Sequence, residues 1–252
     1  MSKRIYCDYN ATTPILATVQ KAFTKGLAYY GNASSLYALG REAKEVLESA
    51  RESLAALLSC YPDQLIFTSS GTESNNQVLK SLLYDKIVLK KSVHILISAI
   101  EHSSIFDTVK VLQDYGIDYD LIPVDEQGKV NVSEYQALFR EDTKLVSIMM
   151  ANNEIGVIQD IAALSAIARE KAVLFHTDAV QALGKVAINA TKLDVDFLSL
   201  SAHKIYAPKG VGVLFVKDDA LLKPLLDGAH HERSMRASTE NIPAIYAFQH
   251  AL

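Results

Sequence analysis

Seven short apolar runs lie between residues 65 and 216, and turns or longer segments with helical spacing of their apolar residues separate them. Runs rich in Val, Ile, Leu and Phe are typical of buried strands. Strands that alternate with helices build a mainly parallel sheet with helices on both faces. The chain is therefore predicted to be an α/β protein with a seven-stranded sheet. The predicted strands are residues 65–69, 94–98, 119–123, 145–150, 173–177, 197–201 and 211–216.

No linker or shift in composition interrupts this pattern, which favours one large domain over residues 15–252 after an N-terminal segment, residues 1–14. Residues 241–252 form an apolar helical pattern with no closing Gly and no basic last turn. We therefore expect the chain to stop within a linker helix that leads to an absent C-terminal domain. Helices are predicted over residues 15–30, 35–59, 72–84, 103–114, 133–139 and 241–252.

The composition excludes several classes of protein. Of the 252 residues, 49% are hydrophobic, which excludes intrinsic disorder, and the net charge of -4 gives no basic excess for nucleic acid. No stretch is long and apolar enough to suggest a membrane span. The two cysteines, Cys7 and Cys60, argue against a disulfide framework or a Cys-rich zinc site, and no metal is predicted. We expect a cytoplasmic protein.

Polar side chains come directly after the predicted strands, at the edge of the sheet where ligands of parallel α/β proteins bind. After the first strand, Gly71 and Thr72 open a helix, whose free N–H groups suit a phosphate. The alternative is an ordinary turn in which Ser70 or Thr72 caps the helix. After the second strand, His102 could stack on a planar ligand or move protons. A lone histidine in this place is more often a polar loop residue.

The later strands lead into amides, a carboxylate and a lysine. Asn153 could hold a ligand oxygen, although asparagines here more often form turns. Asp178 and Gln181 could meet the two edges of one ring, whereas the alternative for Asp178 is a helix cap. Lys204 could be a nucleophilic amine that forms a Schiff base, or an ordinary solvated lysine.

Together these groups form the set that pyridoxal 5'-phosphate (PLP) requires. They supply a phosphate cradle, a stacking ring, a carboxylate for the pyridine nitrogen, an amide for the ring hydroxyl and a Schiff-base lysine. Because all of them lie just after strands of one sheet, the sequence predicts a single PLP pocket.

The chain resembles the cysteine desulfurases of the aminotransferase class V group, within the fold-type I PLP enzymes. The resemblance implies the fold of their large, PLP-binding domain, with the small C-terminal domain largely absent. It covers residues 5–252, and the matching segments are residues 8–14, 30–35, 67–75, 101–102, 152–156, 176–181, 203–210 and 232–239.

The resemblance implies a role for each matching position. Lys204 would form the Schiff base with PLP and His102 would stack on the ring, both as catalytic residues. Asn153 would lie near the substrate carboxylate, and Thr239 would reach the cofactor phosphate of the other subunit of a homodimer. The implied PLP-binding residues are Gly71, Thr72, His102, Asp178, Gln181, Ser201, His203, Lys204 and Thr239.

The implied reaction takes sulfur from L-cysteine, leaves L-alanine and forms a persulfide on an enzyme cysteine. The sulfur then passes to an iron–sulfur scaffold or another acceptor protein. Neither Cys7 nor Cys60 matches the position of the family's nucleophile, so we expect the chain as it stands to be inactive. Other possibilities are a selenocysteine lyase, another class V aminotransferase or lyase, or a non-catalytic dimerisation module.

The chain departs from the family at several glycines. Ala202 and Ala207 replace two of them around the lysine, and Ser238 replaces another. The segment of residues 228–234 retains only the first of its usual glycines. Ala and Ser are costly where φ must be positive, so these positions are expected to be strained if the backbone is unchanged.

Overall fold

The computed structural model describes residues 5–252, so the first four residues of the predicted N-terminal segment lie outside the described part. A seven-stranded sheet forms its centre. The strands are β1 Leu65–Thr68, β2 His94–Ser98, β3 Asp118–Ile122, β4 Thr143–Ser147, β5 Leu174–Asp178, β6 Phe197–Ser201 and β7 Gly212–Val216. The helices are α1 Ala17–Gly26, α2 Ala38–Leu58, α3 Gly71–Leu83, α4 Ser103–Asp114, α5 Val132–Ala137, α6 Ile161–Glu170, α7 Ala190–Leu193 and α8 Ile242–Gln249.

The strand order is β1-β7-β6-β5-β4-β2-β3. All neighbouring pairs are parallel except the two that involve β7. The predicted mainly parallel sheet of seven strands is confirmed. Since β1 and β6 both run against β7, their carboxyl ends lie at the same edge as those of β2, β4 and β5.

Alternate side chains of the buried strands divide between the two faces of the sheet. Leu65 and Phe67 of β1 belong to one apolar cluster, with side chains from α1, α2, α6 and α8. Ile66 between them belongs to a second cluster, formed with α3 and α4. The sheet is thus the middle layer of three. Its strands are largely buried on both faces, except the edge strand β3, in which only Ile122 is buried.

The observed helices agree in position with the predicted ones, but most are shorter. Helix α1 begins at Ala17 and ends at Gly26, whereas the sequence pattern predicts a helix over residues 15–30. Helices α6 and α7 are not predicted by the pattern. No helix within residues 5–252 combines the length and the apolar character that crossing a bilayer requires.

Only some of the replaced glycines carry a strained backbone. Ser234 and Ser238 have φ values of 66° and 98°, and Glu232 and Arg233 also lie in the left-handed region. Ala202 and Ala207 do not have positive φ, so the expected strain is absent at those two positions. The strained replacements, Ser234 and Ser238, lie in the segment of residues 228–239, which we call the anchor loop.

Replacing Ser238 with glycine should stabilise the protein. The φ of 98° is accessible to glycine without a steric cost, so Ser238→Gly is expected to raise the free energy of unfolding by about 1 kcal/mol. Ser133→Gly, in the ordinary backbone of α5, should lower it by a similar amount. Urea unfolding of both variants measures the difference, and a destabilised Ser238→Gly protein would contradict the strain argument.

Candidate active site

A pocket of about 580 Å³ opens at the carboxyl edge of the sheet. It brings together all the predicted site residues except Thr239, namely Gly71, Thr72, His102, Asn153, Asp178, Gln181, Ser201, His203 and Lys204. Thr239 is exposed on the anchor loop and does not line the pocket. Its role toward a second subunit stays a prediction.

The first turn of α3 forms one wall of the pocket. Ser70 caps the helix, because its hydroxyl accepts a hydrogen bond from the N–H of Glu73 at 3.1 Å. The N–H groups of Gly71 and Thr72 have no acceptor within the helix, because the residues four positions before them lie outside it. A Cβ on Gly71 would come within 2.6 Å of Val180 Cγ2, so glycine is required for this close approach. The cap and the anion site are therefore compatible.

Lys204 lies just after β6 on a short helical turn and is half-buried in the pocket wall. Its Nζ donates to the carbonyl oxygens of Asn10 at 2.5 Å and Ala11 at 2.8 Å, which ties it to the N-terminal segment. Burial, and then the charge of Lys185, lower the pKa of Lys204, while Asp178 and Asp8 oppose the shift. A lysine whose pKa is lowered is more often uncharged and therefore nucleophilic.

The two residues beside Lys204 supply polar groups to the same wall. Ser201 is buried, and its Oγ has no hydrogen-bond partner among the described residues. His203 Nδ1 lies 3.1 Å from Thr12 Oγ1. Burial, together with Lys204 and Lys209, lowers the pKa of His203 to about 4, so this imidazole is neutral at physiological pH.

Asp178 ends β5 at the bottom of the pocket. Its Oδ1 accepts from the N–H of Val180 at 2.9 Å, and its Oδ2 accepts from Asn75 Nδ2 at 2.7 Å. Burial raises the pKa of Asp178, whereas these hydrogen bonds and the nearby His102 and Lys204 lower it. A protonated ring nitrogen placed against this carboxylate would offset its burial.

Gln181 reaches the pocket from the turn after β5. Its Nε2 donates to Asn10 O at 2.9 Å, and its Oε1 accepts from Lys185 Nζ at 2.6 Å. The amide is therefore held in one orientation by the N-terminal segment and by a lysine. This orientation presents it to the same cavity as Asp178.

His102 is the N-cap of α4, and its Nδ1 accepts a hydrogen bond from the N–H of Ser104 at 3.1 Å. The imidazole lines the pocket while one side of the residue stays exposed. Such a ring can lie against a planar ligand without further burial. The neighbouring Glu101 is fully buried, and its Oε1 accepts from Ser98 Oγ at 2.5 Å and from Met149 N–H at 2.6 Å.

Burial raises the pKa of Glu101 to about 8, so the carboxyl is protonated at neutral pH in the folded state. Because the pKa is higher in the folded state than in the unfolded state, the protonated carboxyl makes its full contribution to stability at pH values below the unfolded pKa near 4.5. This contribution is lost as the pH rises toward 8. Wild type should therefore lose stability relative to Glu101→Gln between about pH 5.5 and about pH 8.5, by a few kcal/mol. Urea unfolding at the two pH values measures it, with the exposed Glu126→Gln as control. A difference in stability between wild type and Glu101→Gln that is the same at both pH values would contradict the raised pKa of Glu101.

The turn after β4 divides two functions between adjacent asparagines. Asn152 Oδ1 accepts from the N–H groups of Glu154 and Ile155 at 2.8 and 2.9 Å, and forms the turn. Asn153 lines the pocket instead. The turn interpretation therefore holds for Asn152, whereas the role of Asn153 toward a ligand stays a prediction.

Two ion pairs fix the anchor loop beside the pocket. Glu232 and Arg51 are buried, with Arg51 Nη2 at 2.7 Å from Glu232 Oε1, and Phe67 N–H donates to the same carboxylate at 2.7 Å. Arg236 Nε lies 2.8 Å from Oε1 of Glu73 in the first turn of α3. The loop that carries Thr239 is thus attached to the wall of the pocket.

Sequence reasoning assigns no role to several other lining residues. Asp8 and Asn10 lie within a matching segment, and Asn75 lies within the helix predicted after Gly71. Ser104 also lines the pocket and hydrogen-bonds to Asn75 and His102. The sequence does not single out Asn75, because Ser74, Gln77 and Ser81 of α3 are also polar and buried.

The pocket has the donors and the shape that a phosphorylated planar ring requires. The unpartnered hydroxyl of Ser201 and the first turn of α3 can donate hydrogen bonds to a phosphate. Asp178 offers an anionic acceptor, His102 an open ring face and Lys204 an amine. These groups fit PLP in charge and in number of hydrogen bonds.

Comparison with known proteins agrees with the fit of the pocket to PLP. The family model for aminotransferase class V matches residues 5–252. The cysteine desulfurase IscS of Dictyoglomus turgidum is 41% identical over 100% of this chain and 64% of its own length. That of Pseudoalteromonas translucida is 42% identical over 95% of this chain and 60% of its own. The chain thus spans less than two thirds of the length of these curated relatives.

Solved structures agree in fold over almost the whole chain. A NifS-like protein superposes with a TM-score of 0.94 at 38% identity, over 99% of this chain and 69% of that one. The structure of SspA in complex with cysteine has a TM-score of 0.94 at 32% identity, over 98% of this chain and 72% of that one. The fold described above is therefore that of the NifS-like enzymes.

Proposed function

Because the chain belongs to the aminotransferase class V family of PLP-dependent enzymes, we propose that it is the cofactor-binding domain of a cysteine desulfurase that acts on L-cysteine. The observation that carries the proposal is the convergence of Lys204, Asp178 and the unpartnered Ser201 hydroxyl on one pocket. The relatives named as cysteine desulfurases, and the cysteine complex of SspA, support the choice of substrate.

The residues of the pocket divide the work of holding the cofactor. Gly71, Thr72, Ser201 and His203 would hold the phosphate, and Lys204 would bind the aldehyde carbon. When bound, PLP withdraws electrons from the α-carbon of an amino acid substrate. Asp178 would keep a proton on the pyridine nitrogen, which that withdrawal needs, and Gln181 would donate to the ring hydroxyl.

The remaining groups would handle the substrate. Burial and the charge of Lys185 lower the pKa of Lys204, which favours the uncharged amine that would take up a proton from the α-carbon. The imidazole of His102, which lies in the same pocket, would cover the ring and hold a proton near the reacting atoms. Asn153 would donate to the carboxylate of L-cysteine.

Sulfur transfer requires a thiolate that attacks the substrate sulfur. The carbon–sulfur bond breaks, a sulfur–sulfur bond forms, and L-alanine remains. Burial, and then Asp63, raise the pKa of Cys60 to about 11, so this thiol is protonated at neutral pH. Cys7 is exposed and lies outside the residues that line the pocket. We infer that neither accepts sulfur and that the chain as it stands does not turn over.

The wider setting is proposed on the same resemblance. The anchor loop would bring Thr239 to the cofactor of a second subunit in a homodimer, and an iron–sulfur scaffold or another protein would accept the sulfur. The unpaired thiols of Cys7 and Cys60 fit a reducing compartment such as the cytoplasm. Helix α8, which packs on α1 and α2, would lead from the large domain, residues 15–252, to a further domain.

The test is spectroscopic. The protein incubated with PLP and dialysed should keep a visible absorption band that L-cysteine shifts and D-cysteine does not, and it should release no alanine. Cys60→Ser should behave like wild type. Absence of the band in the wild type would overturn cofactor binding. Continuous alanine release that Cys60→Ser abolishes would overturn the inference about the thiols.

A further inference from the structure

A chain of hydrogen bonds links two groups on opposite sides of the pocket. Asn75 Nδ2 lies 2.7 Å from Asp178 Oδ2 and 2.9 Å from Ser104 Oγ. Ser104 Oγ in turn lies 2.9 Å from His102 Nδ1. The carboxylate at the end of β5 is thereby connected to the imidazole at the start of α4 through one side chain of α3.

The direction of every hydrogen bond in this chain is determined. The backbone N–H of Ser104 points at His102 Nδ1, so Nδ1 is an acceptor and the ring proton resides on Nε2. The two N–H groups of Asn75 are donors, and therefore Asp178 and the Ser104 oxygen are acceptors. The hydroxyl proton of Ser104 is then free to point at His102 Nδ1, whose single lone pair it shares with the backbone N–H of Ser104.

The chain is shielded from water along most of its length. Asn75 is 1% exposed, and Asp178 and Ser104 are also buried. In such surroundings water cannot replace a lost hydrogen bond, so each one constrains the groups it joins. The imidazole, which is exposed on one side, has its orientation fixed from the buried side.

We propose that Asn75 and Ser104 are positioning residues that hold His102 with its proton on Nε2 and hold Asp178 as an ionised acceptor. The proposal rests on the proposed function, in which His102 covers the cofactor ring and Asp178 meets its nitrogen. One rigid connection between His102 and Asp178 would fix the position of the stacking imidazole relative to the carboxylate that meets the ring nitrogen. Neither residue would itself touch the reacting atoms.

The test uses imidazole ¹⁵N NMR on the full chain without cofactor, with the His102 signals assigned from a His102→Gln spectrum. In wild type, His102 should show the Nε2-protonated tautomer. Ser104→Ala and Asn75→Leu should move the Nδ1 signal toward that of a more weakly hydrogen-bonded imidazole nitrogen, because only the backbone N–H of Ser104 would remain as a well-placed donor. Ser104→Thr, which keeps the hydroxyl, should restore the wild-type position.

Thr108→Ala is the matched control. Thr108 is buried on the same helix, and its hydroxyl donates to the carbonyl of Ser104, but it is not part of the chain of hydrogen bonds. If Thr108→Ala moves the Nδ1 signal of His102 as far as Ser104→Ala does, the proposal is overturned, because the effect would then be one of general packing. Unchanged Nδ1 signals in Ser104→Ala and Asn75→Leu would overturn it as well.

PLP titration gives a second measurement. Asn75→Leu removes a hydrogen bond to a charged group and should weaken PLP binding about 10-fold to 100-fold, and Ser104→Ala by up to about 10-fold. Affinities equal to wild type in both variants would contradict the role toward the cofactor. A wild-type chain that takes up no PLP would contradict the proposed function instead, while the NMR result on the cofactor-free protein would still stand.

Discussion

The Lys204→Ala protein is expected to lose the visible absorption band that PLP gives with the wild type. The band requires a Schiff base, and Lys204 is the lysine whose amine faces the pocket beside Ser201 and Asp178. Without that covalent bond, PLP is retained only by hydrogen bonds to its phosphate and ring, and dialysis should remove it. The loss should be complete rather than partial, because a methyl group cannot form the imine.

The measurement is an absorption spectrum after incubation with PLP and dialysis. Lys209→Ala is the matched control, since Lys209 is exposed on the same loop and does not line the pocket. It should keep the band at full intensity. If the band survives in Lys204→Ala and disappears in Lys209→Ala, the covalent bond is formed by Lys209 and the assignment to Lys204 is wrong.

The Arg51→Met protein should be destabilised by about 3–5 kcal/mol, because the substitution leaves the buried carboxylate of Glu232 without its charged partner. The side chains of Arg51 and Glu232 are 4% and 1% exposed. Arg51 also donates to the carbonyl of Leu65 at 2.7 Å, so an end of β1 loses a hydrogen bond as well. The anchor loop would lose its attachment to the sheet.

Urea unfolding at neutral pH measures this loss. Glu48→Gln is the control, since Glu48 also pairs with Arg51 but is 43% exposed, and it should cost less than about 1 kcal/mol. The double variant Arg51→Met with Glu232→Gln should recover part of the stability, because no unpaired charge remains. A loss in Arg51→Met no larger than in Glu48→Gln would show that the buried pair contributes little.

Most of the sheet could be predicted from the sequence because every strand except β3 is largely buried on both faces. Ile95, Leu96 and Ile97 form a continuous apolar run that no amphipathic helix would show. The boundaries could not be predicted to the residue. For β4 the predicted strand, residues 145–150, begins and ends later than the observed strand, Thr143–Ser147. Hydrogen bonds to the neighbouring β5 continue beyond Ser147, because the N–H groups of Ile148 and Met150 donate to the carbonyls of His176 and Asp178.

The pocket could be predicted because the topology of a parallel sheet brings the segments after its strands together at one edge. The supporting residues could not. Arg51 lies between glutamates in the middle of α2 and has the sequence pattern of a surface residue, although Glu232 lies 181 positions away. Asn75 likewise has the pattern of an ordinary helical residue, and only the packing of α3 against β5 and α4 shows which groups its amide contacts.

The most direct test of the central claim is to locate the cofactor chemically. The wild-type protein is incubated with PLP, reduced with borohydride so that any Schiff base becomes a stable amine, and digested for peptide mass spectrometry. We predict one modified site, at Lys204. Modification mainly at Lys185 or Lys209, or no modification at all, would contradict the claim that this pocket is a PLP site with Lys204 at its centre.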